Sequence, residues 1–194
     1  MILFRSSNTR FVRYLILIPV LMFLPVFAEP APTKAAKGIV SEAALGAPAD
    51  GEVCFSPEDS CDVKLGKFIQ SAAKSVDMAI FDLNLEKIFM NIIAISKKIP
   101  VRVLVDRRQS KLKHSLMPRL IKAGINVRYG HQKGLQHNKF TIVDGRIVQT
   151  GSFNYTNGAA FKNNENQVYL ANPAIVEQYK KRFEKIWMKG DMPK

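Results

Sequence analysis

A chain of 194 residues has room for one domain with a leader, and it is too short for several domains of ordinary size. Lys and Arg number 29 against 16 Asp and Glu, so the formal net charge is +13. An excess this large on a small domain argues against a charge kept only for solubility. It predicts a polyanionic partner, either nucleic acid or an anionic membrane.

Residues 1–28 have the pattern of a secretory signal peptide. Three arginines precede an uncharged apolar run over residues 14–27, and small residues stand at the −3 and −1 positions of a cut after Ala28. The run is shorter than the about 20 apolar residues that a membrane-spanning helix needs. Cleavage would give an exported protein, periplasmic or secreted. An uncleaved leader that anchors the chain to the inner membrane is the open alternative.

Residues 29–49 are rich in Pro and Ala and are predicted to be a flexible linker, which leaves residues 50–194 for the folded domain. Cys54 and Cys61 fit an exported protein, and a disulfide between them would contribute roughly 2.5 kcal/mol by closing a small loop. A zinc site is a weaker interpretation, because no His or further Cys lies nearby to complete four ligands. Two free buried thiols are the remaining alternative.

Strand-like and helical patterns alternate from residue 52 to residue 129. Short apolar or β-branched runs predict strands at Glu52–Phe55, Val76–Phe81, Val101–Val105 and Asn126–Tyr129. Apolar residues at helical spacing predict a helix capped by Ser60 and further helices at Leu85–Lys97 and near Ser110–Ala123. Pro118 interrupts the last helix, and Gly124 is placed to end it. This order predicts a one-domain α/β fold, with a mixed, largely parallel sheet covered by helices on both faces.

The second half of the domain begins with a predicted hairpin. Phe140–Val143 and Ile147–Thr150 flank Asp144-Gly145, a pair typical of tight turns between antiparallel strands. A last strand is predicted at Gln167–Leu170, and Pro173 opens a final amphipathic helix.

Groups suited to phosphate chemistry gather around this hairpin. His137 and Lys139 are two residues apart, so on a strand their side chains project from the same face. The second strand of the hairpin runs back beside the first and brings Ser152 and Asn154 near them. A neutral imidazole can attack phosphorus, while a lysine, a hydroxyl and an amide can hold the developing negative charge.

An imidazole nucleophile needs a partner that fixes its tautomer, usually a carboxylate. Glu165 is the best candidate, since it precedes the last strand in the amide-rich segment Asn163-Asn164-Glu165-Asn166. The alternative is an ordinary loop acid. The sequence offers no carboxylate cluster suited to Mg²⁺, so neither a metal nor another cofactor is predicted. His131 and Lys133 are interpreted as basic surface near the site, and His114 as an ordinary surface or packing residue.

These residues carry a resemblance to a known family. The series His137-x-Lys139-x-x-x-x-Asp144, followed by Gly151-Ser152-x-Asn154, resembles the signature of the phospholipase D superfamily. The likeness to the small bacterial endonuclease branch of that superfamily extends over about residues 50–190. Asp144 belongs to the signature, although its position in an Asp-Gly turn also gives it a structural explanation.

The resemblance implies a role for each residue. His137 would form a phosphohistidine intermediate, and Glu165 would orient it. Lys139, Ser152 and Asn154 would bind the phosphoryl group, with no metal. Larger members of the superfamily carry two copies of the motif and this chain carries one, so the active site is predicted to be shared across a homodimer.

Three functions are consistent with this sequence. The first is a metal-independent phosphodiesterase, an endonuclease that hydrolyses DNA, with RNA as an open alternative. The second is a phospholipase D-type lipid hydrolase that uses the same chemistry, and an anchored leader would favour it. The third is a non-catalytic DNA-binding or uptake module, against which the intact set of site residues argues.

Overall fold

The computed structural model describes residues 48–130 and 134–193. The predicted signal peptide, the linker as far as residue 47, and the segment containing His131 and Lys133 lie outside the described residues, so the interpretations placed on them stay predictions. Among the described residues, no helix combines the length and apolarity needed to cross a membrane.

The described part of the chain contains seven strands, five α-helices and one 3₁₀ turn. In chain order they are β1 Val53–Ser56, α1 Cys61–Gln70, β2 Val76–Ile80, α2 Glu86–Ser96, β3 Val101–Val105, the 3₁₀ turn Gln109–Lys111, α3 Met117–Lys122, β4 Asn126–Tyr129, β5 Phe140–Val143, β6 Ile147–Gly151, α4 Asn157–Phe161, β7 Glu165–Leu170 and α5 Pro173–Met188.

The seven strands form one mixed sheet in the order β1-β7-β6-β5-β2-β3-β4. The mixed sheet is confirmed, but its parallel part is smaller than predicted. In the described residues only β2–β3 and β3–β4 pair in parallel, and the other four pairings are antiparallel. The difference arises because β1 does not join β2. The β5-β6-β7 meander occupies the space between them, and β1 pairs antiparallel with β7 at the sheet edge.

Alternating strand residues build a core on each face of the sheet, as predicted for a sheet covered on both sides. In β2, Val76, Met78 and Ile80 face the larger core, which also contains apolar residues of α1, α2, α3 and α4. Ala79 points the other way, into a smaller core formed with α5, where Phe183 and Trp187 are buried. The larger core holds most of the buried side chains, and among the described helices it is α5 that covers the opposite face.

The helices differ from the prediction in three places. Ser60 precedes α1, but its φ is 51° and its side chain makes no capping hydrogen bond. The helix predicted near Ser110–Ala123 is a 3₁₀ turn followed by α3, because Pro118 is tolerated only in the first turn of a helix. The short helix α4 was not predicted. Its start is fixed by Thr156, whose hydroxyl accepts from the amide of Ala159.

The predicted disulfide is confirmed. Cys54 on β1 and Cys61 at the start of α1 are bonded, with their Cα atoms 5.7 Å apart, and both are fully buried in the larger core. The bond closes the loop between β1 and α1.

Candidate active site

The β5–β6 hairpin places the predicted site residues together. Phe140 pairs with Thr150, so the residues just before β5 and just after β6 lie together, at the edge of the sheet where β5 begins and β6 ends. Asp144 and Gly145 form the turn at the opposite end, where both adopt positive φ and Arg146 donates to the carbonyl of Val143. The turn chemistry predicted from the Asp-Gly pair therefore sets the register of the strands that carry the site.

An open cavity of about 530 Å³ lies at this edge. Five of the predicted site residues line it. Its lining consists of His137, Asn138, Lys139, Phe140, Thr150, Gly151, Ser152, Asn154, Glu165 and Tyr179. Asp144 is the predicted catalytic residue that does not line it.

His137 and Lys139 are in contact. Nζ of Lys139 lies 3.2 Å from Nδ1 of His137 and donates to the His137 carbonyl oxygen at 2.9 Å. The ring of Phe81, just beyond β2, lies 4.4 Å from the imidazole centroid to centroid, and the Lys139 ammonium lies 5.2 Å from the same ring. His137 is exposed, whereas Lys139 is only 9% exposed. The nucleophile candidate thus faces solvent while its cationic neighbour is held beneath it.

Burial has an electrostatic effect on Lys139. Removal of its ammonium from water lowers the pKa of Lys139 below the ordinary lysine value, and the negative charge of Glu165 opposes this shift. The ammonium of Lys139 therefore loses its proton more readily than that of a surface lysine, and the negative charge of Glu165 helps to keep it protonated.

The contact between Lys139 and His137 also constrains the imidazole. A neutral ring that accepts a proton donor at Nδ1 carries its own proton on Nε2. Attack through Nε2 requires the other tautomer, with the proton on Nδ1. Lys139 must therefore release Nδ1 before Nε2 can act as a nucleophile, and an anionic phosphoryl group in the cavity is a ligand that would draw the ammonium away.

Glu165 does not bond to His137 within the described chain. One of its oxygens accepts from the hydroxyl of Ser152, and the other accepts from the amide of Asn163 at 3.1 Å. Ser152 in turn accepts from the backbone N–H of Asn166 at 3.1 Å. The predicted role of Glu165 in orienting His137 is thus not seen in one copy of the chain, where Glu165 fixes Ser152 and acts on the charge of Lys139.

Gly151 is required by the close approach of two strands. Its φ is +148°, and a Cβ at this position would lie 2.2 Å from the carbonyl oxygen of Asn166. A larger residue would force β6 away from β7 and would move Ser152 relative to Glu165. The glycine of the Gly151-Ser152 pair therefore serves the geometry of the site.

Asn154 lines the cavity as predicted. No hydrogen bond to a described residue holds its side-chain amide, and its buried Oδ1 has no partner among them. Because neither end of the amide is fixed, the group can turn and present Nδ2 to an anionic ligand.

Asp144 has a structural explanation in full. Its carboxylate accepts from the backbone N–H groups of Ala73, Lys74 and Ser75, at distances between 2.7 and 3.1 Å. These contacts join the hairpin turn to the loop between α1 and β2, at the far end of β5 from His137. A carboxylate with three backbone donors ties two loops together.

Four further residues of the site were not predicted from the sequence. Phe81 packs on His137, and Tyr179 of α5 lines the cavity. Thr150 donates to the carbonyl of Lys139 at 3.1 Å, and Asn163 holds Glu165. Of these four residues, only Asn163 could be suspected from the sequence, because it lies in the amide-rich segment around Glu165. His114, interpreted as an ordinary residue, lies 3.3 Å from the carboxylate of Asp82 and outside the cavity lining.

Comparison with known proteins identifies the family. A family model described as "Cardiolipin synthase, PLD-like domain" matches residues 65–187, which is more than half of the chain. The chain belongs to the phospholipase D superfamily.

Two solved structures share its fold. Nuc from Salmonella typhimurium, described as a phospholipase D family member, has a TM-score of 0.70 and 31% identity, covering 74% of this chain and 97% of that one. NucT from Helicobacter pylori also has a TM-score of 0.70, at 23% identity, and supports the fold alone.

Curated relatives of this superfamily member carry names from lipid chemistry. A mitochondrial cardiolipin hydrolase from Xenopus tropicalis is 31% identical over 134 residues, 69% of this chain and 64% of that protein. A phospholipase D from Rickettsia conorii is 33% identical over 127 residues, 65% of this chain and 64% of that protein. The chain spans 54% to 64% of the length of these relatives and of a third from Chlamydomonas reinhardtii.

Among the described residues, no group of three or more His, Cys, Asp or Glu side chains is arranged to hold a metal ion.

Proposed function

We propose that this chain is a metal-independent phosphodiesterase that hydrolyses DNA through a phosphohistidine intermediate, with one active site shared by two copies of the chain. The observation that carries the proposal is the convergence of His137, Lys139, Ser152, Asn154 and Glu165 on one open cavity. An imidazole, a buried cation, a hydroxyl and an amide at one sheet edge are the groups that displacement at phosphorus requires.

The reaction proceeds in two displacements. Nε2 of His137 attacks phosphorus and forms an N–P bond as the P–O bond to the leaving oxygen breaks. The imidazole of His137 of the partner subunit gives that oxygen a proton. Water then attacks phosphorus and gives a proton to the same second imidazole, while the N–P bond breaks and restores the nucleophile.

The remaining groups hold the phosphoryl oxygens. Lys139 moves from Nδ1 of His137 to the anionic phosphoryl group, which frees Nδ1 to carry the ring proton. Asn154 donates through its unfixed amide, and Ser152, held against Glu165, lies beside them. Charge stabilisation of this kind by one preorganised donor is worth about 3–4 kcal/mol.

Nucleic acid is the proposed substrate for two reasons. The first is the net charge of +13, which favours a polyanion. The second is the resemblance of the sequence to the small bacterial endonuclease branch, together with a fold and sequence similar to those of Nuc over nearly all of that chain. We take DNA as the substrate, and RNA is included as a second substrate in the assay described below.

Hydrolysis of a phospholipid is the second candidate. It is favoured by the relatives named cardiolipin hydrolase and phospholipase D. Apolar side chains at the surface, including Leu135 at 49% exposure and Met188 at 72%, also offer contacts to a lipid surface.

One assay separates these functions. The purified protein and a His137→Asn variant are incubated in EDTA with plasmid DNA, single-stranded DNA, RNA and cardiolipin vesicles. We expect the wild type to cleave DNA and the variant to bind it without cleavage. Hydrolysis of vesicles alone would establish the lipid candidate. DNA binding without cleavage by the wild type would establish the binding module. Activity that stops in EDTA and returns with Mg²⁺ would refute the proposed mechanism.

A further inference from the structure

A second, smaller cavity adjoins the candidate active site. It measures about 150 Å³, and Asn138 lines both cavities, so the two are neighbours along one surface. The side chains that give the smaller cavity its chemistry are Gln136, Asn138, Arg182 and Lys189, with Ile186 between the two cations. The cavity is therefore cationic and polar and lies next to the proposed point of cleavage.

Helix α5 connects the two cavities. Tyr179 lines the active-site cavity, while Arg182, Ile186 and Lys189 line the smaller one. Arg182 and Ile186 are three and seven positions after Tyr179, which places them on one face of the helix. Lys189 is the C-cap residue of α5, ten positions after Tyr179, and its helical backbone continues the same face. The cations therefore follow the helix axis away from the active site.

These two cations have no acidic partner among the described residues. Arg182 and Lys189 are exposed, and neither makes a side-chain ion pair or hydrogen bond there. Arg102, on the same side of the sheet, is by contrast paired with both Asp77 and Glu184. Positive charge that is left unpaired beside a cavity is available to a ligand.

Gln136 gives an independent indication of a ligand. Its side chain is only 7% exposed, and its Nε2 has no hydrogen-bond partner in the described part of the chain. The other end of the amide is fixed, because Oε1 accepts from Nδ2 of Asn138 at 2.6 Å. Its backbone N–H is fixed as well, by Asp106 at 2.9 Å. The structure thus holds a buried, unsatisfied donor in place at the wall of a cationic cavity.

From these observations we infer that the smaller cavity binds the phosphate that neighbours the scissile phosphodiester in a nucleic acid strand. Arg182 and Lys189 supply the charge, and Nε2 of Gln136 donates to a phosphate oxygen. This inference rests on the proposed function and assigns its substrate to the class of polymers with phosphates at regular intervals. A lipid headgroup with a single phosphodiester has no second phosphate for this subsite.

The test compares two substrates and two double variants. The substrates are a single-stranded oligonucleotide and bis(4-nitrophenyl) phosphate, a diester with no neighbouring phosphate. One variant combines Arg182→Gln with Lys189→Gln. The matched control combines Lys97→Gln with Lys98→Gln, two exposed lysines without described ion pairs that lie just before β3, at the opposite edge of the sheet. Both variants lose the same charge.

We expect the Arg182/Lys189 variant to lose about tenfold in kcat/KM on the oligonucleotide at low salt, with little change on the small diester. The slope of log Kd against log salt for oligonucleotide binding should fall by about 0.7, the value for one phosphate on a single strand. The Lys97/Lys98 control should stay near wild type in both measurements.

Three results would overturn the inference. Equal losses in the two variants would mean a general charge effect, and equal losses on the two substrates would place Arg182 and Lys189 in the reaction itself. In a further arm, both double variants are assayed on cardiolipin vesicles. Loss on these vesicles without loss on the oligonucleotide would assign the subsite to a lipid with two phosphates. Failure of the wild type to cleave either substrate would refute the proposed function, while the salt slope of binding would still decide the subsite.

Discussion

At the scale of single residues, the site depends on how Lys139 and Glu165 share charge around His137. The spacing of His137 and Lys139 predicted that their side chains project to the same side, and the structure places Nζ of Lys139 3.2 Å from Nδ1 of His137. The partners of Glu165 could not be predicted in the same way. A carboxylate in a loop bonds to whichever donors the tertiary fold brings near it, and here these are Ser152 and Asn163. Local spacing therefore determines how His137 and Lys139 lie together, whereas long-range packing determines the partners of Glu165.

Replacing Lys139 with Ala should reduce kcat by about two to three orders of magnitude, because one fixed donor to the transition state is lost. Steady-state kinetics on a DNA substrate measures the effect. Lys122→Ala is the control, since Lys122 is an exposed lysine at the end of α3, on the face of the sheet away from α5. Wild-type activity in the Lys139 variant would mean that another group holds the phosphoryl charge.

The pH dependence should reveal the same ammonium. Burial lowers the pKa of Lys139, so the charged form that the proposed mechanism requires is lost at a lower pH than for a free lysine, whose pKa is 10.5. We expect kcat to fall as the pH rises, with the midpoint of this alkaline limb below about pH 10.5. Since the charge of Glu165 raises this pKa, Glu165→Gln should move the alkaline limb of its residual activity to still lower pH. A limb that moves upward in that variant would contradict the assignment.

At the scale of elements, local signals predicted the hairpin and most helix and strand positions. Asp144-Gly145 gave the turn, and the strand at Val101–Val105 has the predicted bounds. The position of β1 was beyond such signals, because pairing with β7 joins residues more than a hundred positions apart. Helix α4 is too short to show helical periodicity, and it depends on its Thr156 cap and on the bond from Ser56 to the Ala159 carbonyl.

Asp144 should contribute to stability and not to chemistry. Asp144→Ala removes the acceptor for three backbone N–H groups and places an unsuitable residue at φ 56°, so the free energy of unfolding should fall by about 2 kcal/mol. Asp144→Asn keeps an acceptor and tolerates this φ, and its loss should be smaller. Urea denaturation measures stability, and kcat is measured on folded protein. A fall in kcat at unchanged stability would show that Asp144 takes part in the reaction.

The Cys54–Cys61 disulfide should stabilise the edge of the sheet without affecting the site. Closure of this short loop contributes roughly 2.5 kcal/mol in the chain-entropy model, so reduction should lower Tm by about 5–10 °C. Thermal unfolding with and without reductant tests this, with a Cys54→Ala, Cys61→Ala variant as the control that should no longer respond. An unchanged Tm in the wild type would mean that packing of β1 on β7 is sufficient by itself.

At the scale of the whole molecule, the proposed mechanism needs a group that one copy of the chain does not supply. Displacement at phosphorus needs a nucleophile and an acid on opposite sides of the reacting group, and one imidazole cannot do both in the same step. The sequence contains one complete motif, and His137 is exposed at an open cavity. A two-fold symmetric dimer would bring a second His137 to the same phosphate.

Mixing wild type with His137→Asn chains should therefore show whether the site is shared. After subunit exchange in an equal mixture, about one quarter of random dimers contain two wild-type chains, so activity should fall to about one quarter of the undiluted value. Independent sites would leave about one half, because each wild-type chain would still work. An equal mixture with Lys122→Ala chains controls for the mixing procedure itself and should keep nearly full activity. Sedimentation at the assay concentration completes the test. A chain that sediments as a monomer and keeps one half of its activity in the mixture would contradict a shared active site.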